Sequence, residues 1–231
     1  GEAKVVYQKG GSIGDIYAGD FMRDANGHIV LTAKGEPTFD KTGSNDRYLG
    51  NMNSKWQMGW TNTFNYKDFQ LSVLINGRIG GKVFSLTESY LDYIGASQRT
   101  ADARLAAEKN NIVAKDYGNV PGMVLNDGSG RIVPIQAYYQ ALGASSNPSS
   151  YLYSGTNFRL RELSLGYTFR DVFGMNRNLT LSFIARNLFF LYKDAPTDPD
   201  VSLSTQNGLG AFESFNMPSS RSFGFSVKAN F

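Results

Sequence analysis

Apolar and polar residues take turns along three stretches of this chain, and the alternation lasts longer than a globular strand requires. In KWQMGWTNTFNY, Lys55 to Tyr66, one face carries Trp56, Met58, Trp60, Asn62, Phe64 and Tyr66, and the other Gln57, Gly59, Thr61, Thr63 and Asn65. A period of two held this long predicts a strand about twice the ordinary length. Lys67-Asp68 reads as a tight turn. After it, FQLSVLINGRIGG sets Phe69, Leu71, Val73 and Ile75 against Gln70, Ser72, Asn76 and Arg78, with Leu74 the exception. Two such runs joined by a short turn predict a hairpin.

The pattern returns in the last third. NFRLRELSLGYTFRD sets Leu163, Leu165, Tyr167 and Phe169 against Glu162, Ser164, Gly166 and Thr168. NLTLSFIARNLFFLY sets Leu179, Leu181, Phe183 and Ala185 against Thr180, Ser182 and Arg186, with Ile184 out of step. The FGMNRN connection between them is turn-like. The end of the chain, SSRSFGFSVKANF, alternates from Phe223 through Phe225, Val227 and Ala229 to Phe231. Long strands are thus expected over about 55–80 and 158–231, and segments near Val5 and Ile16 are expected to add one or two more.

From about 81 to 157 the period of two is lost. SQRTADARLAAEKN is helix-prone, and DYGNVPGMVLNDGSGR and GASSNPSS are rich in turn residues, which predicts a long loop region. Short turns on one side and long loops on the other are the plan of an outer-membrane barrel, whose strands need about 9–11 residues to cross.

Composition sharpens this picture. Among 231 residues there are 13 Tyr, 16 Phe, 25 Gly and no Cys. The lack of cysteine excludes disulfides, thiolate zinc sites and cysteine nucleophiles. The net charge of +3 is spread along the chain, without the basic block that tracks nucleic acid. No run approaches the roughly 18 apolar residues of a spanning helix, and GEAKVVYQKG lacks the apolar core of a signal peptide. The apolar faces carry Trp56, Trp60, Tyr66, Tyr167, Phe169 and Phe231, many near strand ends. Such rings suit a bilayer interface, whereas a dry sandwich core favours Val, Ile and Leu. The opposite face, rich in Gln, Thr, Asn, Ser and Gly, suits a wet lumen. Lipid offers the backbone no hydrogen-bond partner, so only a closed sheet spans it, and the last strand is expected to close one. The fold class expected is all-β: an antiparallel transmembrane β-barrel with long extracellular loops.

Five blocks, in order, resemble the SusC/RagA type of TonB-dependent outer-membrane transporters: GSIGDIYAGDFMRDANGHIVL, RYLGNMNSKWQMGWTNTFNYKDFQLSVLINGRIGGKVF, TNFRLRELSLGYTF, LSFIARNLFFLYKDAPTDPD and SSRSFGFSVKANF. The resemblance implies that residues 1–231 are the C-terminal segment of a larger barrel of about 22 strands. It implies a location in the cell outer membrane and the import of oligosaccharides or peptides. It also implies a SusD-like lipoprotein partner, and TonB engaged through N-terminal parts outside this sequence. Phe223, Phe225, Val227 and Phe231 are similar to the closing-strand signal read by the outer-membrane assembly machinery. No enzyme activity and no cofactor are implied. The rival readings are a secreted carbohydrate-binding β-sandwich module and a small autonomous outer-membrane barrel of about eight strands.

Individual residues add candidates. Tyr138, Tyr139, Tyr151 and Tyr153 flank QALGASSNPSS and either stack on a substrate in the loops or pack the loop onto itself. Asp194, Asp198 and Asp200 in KDAPTDPD offer oxygen for calcium but lack the spacing of a calcium loop, and turn chemistry explains them as well. NGRIGGKVF departs from a phosphate-binding loop in its glycine spacing and reads as a glycine-rich strand end. His28, the one histidine, follows an Asn26-Gly27 hairpin turn as a first strand residue, and a histidine-based triad would have it as its one possible base and no cysteine option. Asn178 in NLT fits a glycosylation pattern but runs straight into a strand. Arg159, Arg161 and Glu162 form either a charged lumen network or a solvated strand end.

Overall fold

A computed structural model describes residues 3–25, 30, 32, 38–39, 47–109, 122–124, 132–143, 148–172, 178–204, 206 and 209–230. The first strands in chain order are β1 (Lys4–Val6), β2 (Asp15–Ala18), β3 (Arg47–Asn51), β4 (Trp56–Tyr66), β5 (Phe69–Ile79) and β6 (Lys82–Ser85). Helices α1 (Leu86–Tyr93) and α2 (Gln98–Lys109), strands β7 (Gly122–Val124) and β8 (Ile132–Pro134), and helix α3 (Ile135–Gly143) follow. Strands β9 (Leu152–Ser154), β10 (Asn157–Phe169), β11 (Asn178–Lys193), β12 (Phe212–Glu213) and β13 (Ser222–Asn230) complete the order. These elements fall into two compact units.

One unit, Asn53–Lys82, Ser154–Val201 and Met217–Phe231, is built on a five-stranded antiparallel sheet in the order β13-β11-β10-β5-β4. The expected hairpin is present: β4 and β5 pair from Trp56↔Ile79 to Tyr66↔Phe69, and Lys67 takes the left-handed conformation of the turn at φ +53°. Registers across all five strands align the apolar residues in rows. Phe64, Leu71, Leu165, Phe183 and Phe225 form one row, and Tyr66, Phe69, Tyr167, Leu181 and Val227 the next. Rows of Asn65, Gln70, Gly166, Ser182 and Ser226, and of Thr63, Ser72, Ser164, Ile184 and Gly224, alternate with them and belong to the other face. The out-of-step Leu74 and Ile184 therefore sit among polar neighbours.

Strand β10 contains a bulge. Leu160 pairs with Ile75 and Glu162 with Leu74, so Arg161 is the extra residue. Because side chains alternate faces, one extra residue reverses their phase. Phe158 and Leu160 thereby join the apolar face and Asn157 and Arg159 the polar one. Phe158 lies over Gly77, where a Cβ would meet its ring at 2.7 Å. Where the sheet gives way to the long middle segment, the amide of Gly155 donates to the carbonyl of Gly81 at 2.9 Å and that of Gly80 to Thr156 Oγ1 at 3.0 Å. Gly80 and Gly81 hold φ of +80° and +82°, a backbone that glycine adopts without strain. This is the glycine-rich strand end expected of NGRIGGKVF.

The other unit, Gly1–Met52, Val83–Tyr153 and Ser202–Asn216, has its own core of Ile16, Phe21, Phe84, Ile135, Tyr139, Leu142, Tyr151, Ala211 and Phe212. Its small sheets are β1-β2-β3, β12-β6-β9 and β7-β8. The segments near Val5 and Ile16 are strands, as expected, but they pair with each other and with β3 and do not extend the five-stranded sheet. The middle segment is likewise more ordered than a loop. The Ser85 side chain caps α1 by accepting from the Glu88 amide at 3.2 Å, the helix-prone stretch forms α2, and α3 follows β8. Asn26, Gly27, His28 and Phe231 lie outside the described residues. Among the described residues, no helix is long and apolar enough to cross a membrane.

Candidate functional site

The apolar face of the five-stranded sheet is uncovered. Trp56, Trp60, Phe64, Tyr66 and Phe69 are all at least half exposed, and Phe225 reaches 84%. Each large apolar side chain left in water forgoes about 1.5–3 kcal/mol, and a contiguous patch of this kind marks a protein or membrane contact. Aromatics gather at both ends of the strands: Tyr66, Phe69, Tyr167 and Phe169 beside the short turn, and Trp56, Phe158, Phe189 and Tyr192 where the long connections leave. A sandwich core would cover this face, so its exposure weighs against the sandwich reading. Phe223, Phe225 and Val227 lie on β13, a sheet edge paired only with β11. The five described strands form an open sheet, with β4 at the opposite edge.

The polar face concentrates its charge at the long-connection end. Arg159 and Asp198 form an ion pair whose side chains are 4% and 8% exposed. The Arg159 guanidinium also lies 4.0 Å from the centroid of the Phe190 ring. Asp198 further accepts from the amide of Asp200 at 3.0 Å. Burial pushes its carboxyl up, but hydrogen bonds from Arg159, Asp200 and Ser219 outweigh this and hold it below the usual range. Asn157 Nδ2 donates to Asp200 Oδ1 at 3.2 Å, and Arg78 Nη1 lies 3.6 Å from the same oxygen. Arg186 pairs with Glu162 at 2.8 Å. Arg159 and Glu162 thus belong to two separate ion pairs on the polar face, and Arg161 forms none among the described residues. Gln57, Asn76, Arg78, Asn157, Arg161 and Asp200 line a polar cavity of about 530 Å³ at this end.

The three aspartates of KDAPTDPD each serve protein donors. Asp194 accepts from the Ser154 amide at 2.9 Å, while Asp198 and Asp200 take the partners above. Among the described residues no group of three or more His, Cys, Asp or Glu side chains is placed to hold a metal. Asn178 opens β11 opposite Asn230, inside the sheet ladder.

The four tyrosines fall in or beside the helical unit. Tyr138 and Tyr139 stack edge to face with centroids 5.2 Å apart. Tyr151 is fully buried and donates to Asp92 Oδ2 at 2.7 Å, and Tyr153 donates to Glu88. Arg99 bonds Asp92 from its Nε at 2.9 Å and lies 4.9 Å from the Tyr151 ring centroid. Burial first, and then their carboxylate partners, push the phenols of Tyr151 and Tyr153 well above the ordinary tyrosine value. Burial raises those of Tyr138 and Tyr139 as well. Burial lowers the tendency of Arg99 to hold its proton, and Asp92 more than restores it. Tyr151 and Tyr153 thus belong to one Arg99–Asp92–Glu88 network, and the Tyr139 hydroxyl donates to the Arg99 carbonyl at 3.4 Å. A cavity of about 450 Å³ opens beside it, lined by Asp92, Tyr93, Thr100, Arg104, Gln136 and Tyr139 among others.

Sequence reasoning did not single out Gln57, Asn76, Asn157 or Arg78 as site residues. Their signal is positional: all lie at the long-connection end of β4, β5 and β10, on the face away from the aromatics.

Comparison with known proteins agrees with this arrangement. No family profile matches the chain. It is similar to a TonB-dependent receptor of Formosa agariphila, 25% identical over 199 residues, covering 81% of this chain and 18% of the receptor. Its fold matches the RagAB peptide importer in the closed-closed state with a TM-score of 0.56 at 16% identity, covering 96% of this chain and 24% of that one. The open-open state of the same importer gives 0.55 at 13% identity, with 96% and 23% covered. The chain thus spans about a fifth to a quarter of the proteins it matches. These likenesses support the resemblance to a fragment of a SusC/RagA-type transporter.

Proposed function

We propose that this chain, as a SusC/RagA-type fragment, supplies part of the wall and outer loops of a TonB-dependent outer-membrane importer of oligosaccharides or peptides. The observation that carries the reading is the sheet with one continuous aromatic and aliphatic face left uncovered and one small, polar face. In a bilayer the first face meets lipid and the second a wet lumen. The open edges at β4 and β13 then pair with strands from the rest of the protein, because unpaired backbone groups are costly in hydrocarbon. Strand β13 closes the barrel and, through Phe223, Phe225, Val227 and Phe231, presents the signal for the assembly machinery. The helical unit belongs to the outer loops, where the partly exposed Tyr138 faces substrate and a SusD-like lipoprotein covers it. TonB engages segments outside this chain, and no step of covalent chemistry is assigned to it.

The test is outer-membrane fractionation of native cells, followed by the intact mass of the detergent-extracted product. The expected result is an outer-membrane protein several times heavier than 25.4 kDa. A product that stays soluble without detergent overturns the proposal.

A further inference from the structure

The polar cavity at the long-connection end holds more positive charge than its own side chains neutralise. Arg78 and Arg161 both line it, and among the described residues Asp200 is its one acidic residue. Asp200 already accepts from Asn157 at 3.2 Å and lies 3.6 Å from Arg78. Arg161 is exposed at the bulge of β10 and has no ion pair or hydrogen bond among the described residues. The Nε atom of Arg78 is buried without a hydrogen-bond partner. Two guanidiniums against one carboxylate leave a single positive charge in a concave setting, together with the amide groups of Gln57, Asn76 and Asn157.

We propose that this cavity is a subsite for a carboxylate group on the imported solute, held by the Arg161 guanidinium. Resting on the transport reading above, the assignment adds a chemical preference to it. A guanidinium presents a planar fork of N–H donors that matches a carboxylate bidentately. A β-bulge is a device that re-aims a side chain, and here the re-aimed residue is the arginine left without a partner. The net charge of the lining fits a monoanion, since Asp200 opposes a second negative charge. Arg78 Nε–H and the side-chain amides of Gln57 and Asn76 supply further donors. The carboxylate comes either from an acidic sugar or from the free end of a peptide; the recognising chemistry is the same.

The complete transporter, purified in detergent, is titrated calorimetrically with two matched pairs: digalacturonic acid and its methyl ester, and trialanine and its C-terminal amide. One acid form is expected to bind at least about tenfold more tightly than its capped counterpart, a difference of one good charge-assisted contact, and the pair that shows it identifies the source. Arg161→Gln is expected to reduce the preference to less than about twofold, Arg161→Lys to keep part of it because Lys offers only a point charge, and Arg170→Gln, at the opposite end of the strands, to leave it intact. Retention of the folded, heat-resistant mobility by Arg161→Gln separates lost recognition from misfolding. Equal binding of acid and capped forms, no binding of either acid, or an undiminished preference in folded Arg161→Gln each overturns the assignment. A transporter that resides in the outer membrane and imports capped and acid solutes alike leaves the transport reading standing, whereas a soluble product removes both.

Discussion

The two units differ in which aromatic residues they bury. In the five-stranded sheet Trp56 is 69% exposed and Phe225 84%, yet in the helical unit Phe84 is 3% exposed and Tyr151 is fully buried. The rings of the sheet form a continuous uncovered face, whereas the helical unit packs some of its rings into a core, such as Phe84 against Phe212 at 5.5 Å, and leaves others, Tyr48, Tyr90 and Phe215 among them, exposed. Charge follows the same division. Ion pairs of the sheet unit join strands to each other, to the β4–β5 turn through Arg170 and Asp68, or to residues 194–200, whereas Asp92, with no exposure, ties α1 to α2 and to the turn before β9.

The largest test of that contrast is Asp92→Ala. It removes two charge-assisted hydrogen bonds, from Tyr151 and from Arg99, worth about 1.5–3 kcal/mol each, although Arg99 keeps Glu88 at 3.8 Å. Hydrogen exchange is expected to rise across α1 and α2 while the sheet keeps its protection; equal loosening of both units would break the comparison. Next comes Leu165→Arg, in the middle of the apolar face. In a bilayer it is expected to cost about 2–4 kcal/mol, measured by denaturant titration of the transporter folded into vesicles. A surface position in water would change by no more than about 0.5 kcal/mol, so a neutral result would mean the face does not meet lipid. The smallest effect is a pH response confined to the helical unit. Because the folded Tyr151 and Tyr153 phenols hold their protons more tightly than free tyrosine, their stabilisation is complete below the ordinary value of about 10 and declines above it, by at most about 1.4 kcal/mol per pH unit for each. Proteolysis of α1 and α2 is expected to accelerate above pH ~10 and to lose that alkaline component in Tyr151→Phe/Tyr153→Phe.

The sheet was legible because period two is a strong signal over eleven residues or more, as in β4 and β5. The bulge of β10 was not read, because Phe158 and Leu160 before it offer only two apolar positions in the opposite phase to Leu163 onward. Strands β1 and β2, at three and four residues, carry too few positions to reveal which sheet they join. Helix α1 announced itself only through Ser85 and Glu88, a Ser-x-x-Glu cap. The ion pair of Arg159 with Asp198 depends on how a loop folds back onto a strand, which periodicity does not encode. The burial of the tyrosines depends on Asp92 and Arg99, whose approach is set by tertiary packing.

The paired glycines where the sheet gives way to the middle segment have an evolutionary consequence. Hydrogen bonds from Gly155 to Gly81 and from Gly80 to Thr156 bring the two ends of that segment together. The entropy of closing a flexible connection grows only by about 0.6 kcal/mol for each doubling of its length. Because the segment between those glycines also packs Phe84, Ile135 and Tyr151 against Ile16 and Phe212, a lineage can lengthen or shorten it at little cost to the sheet wherever the change leaves that core intact.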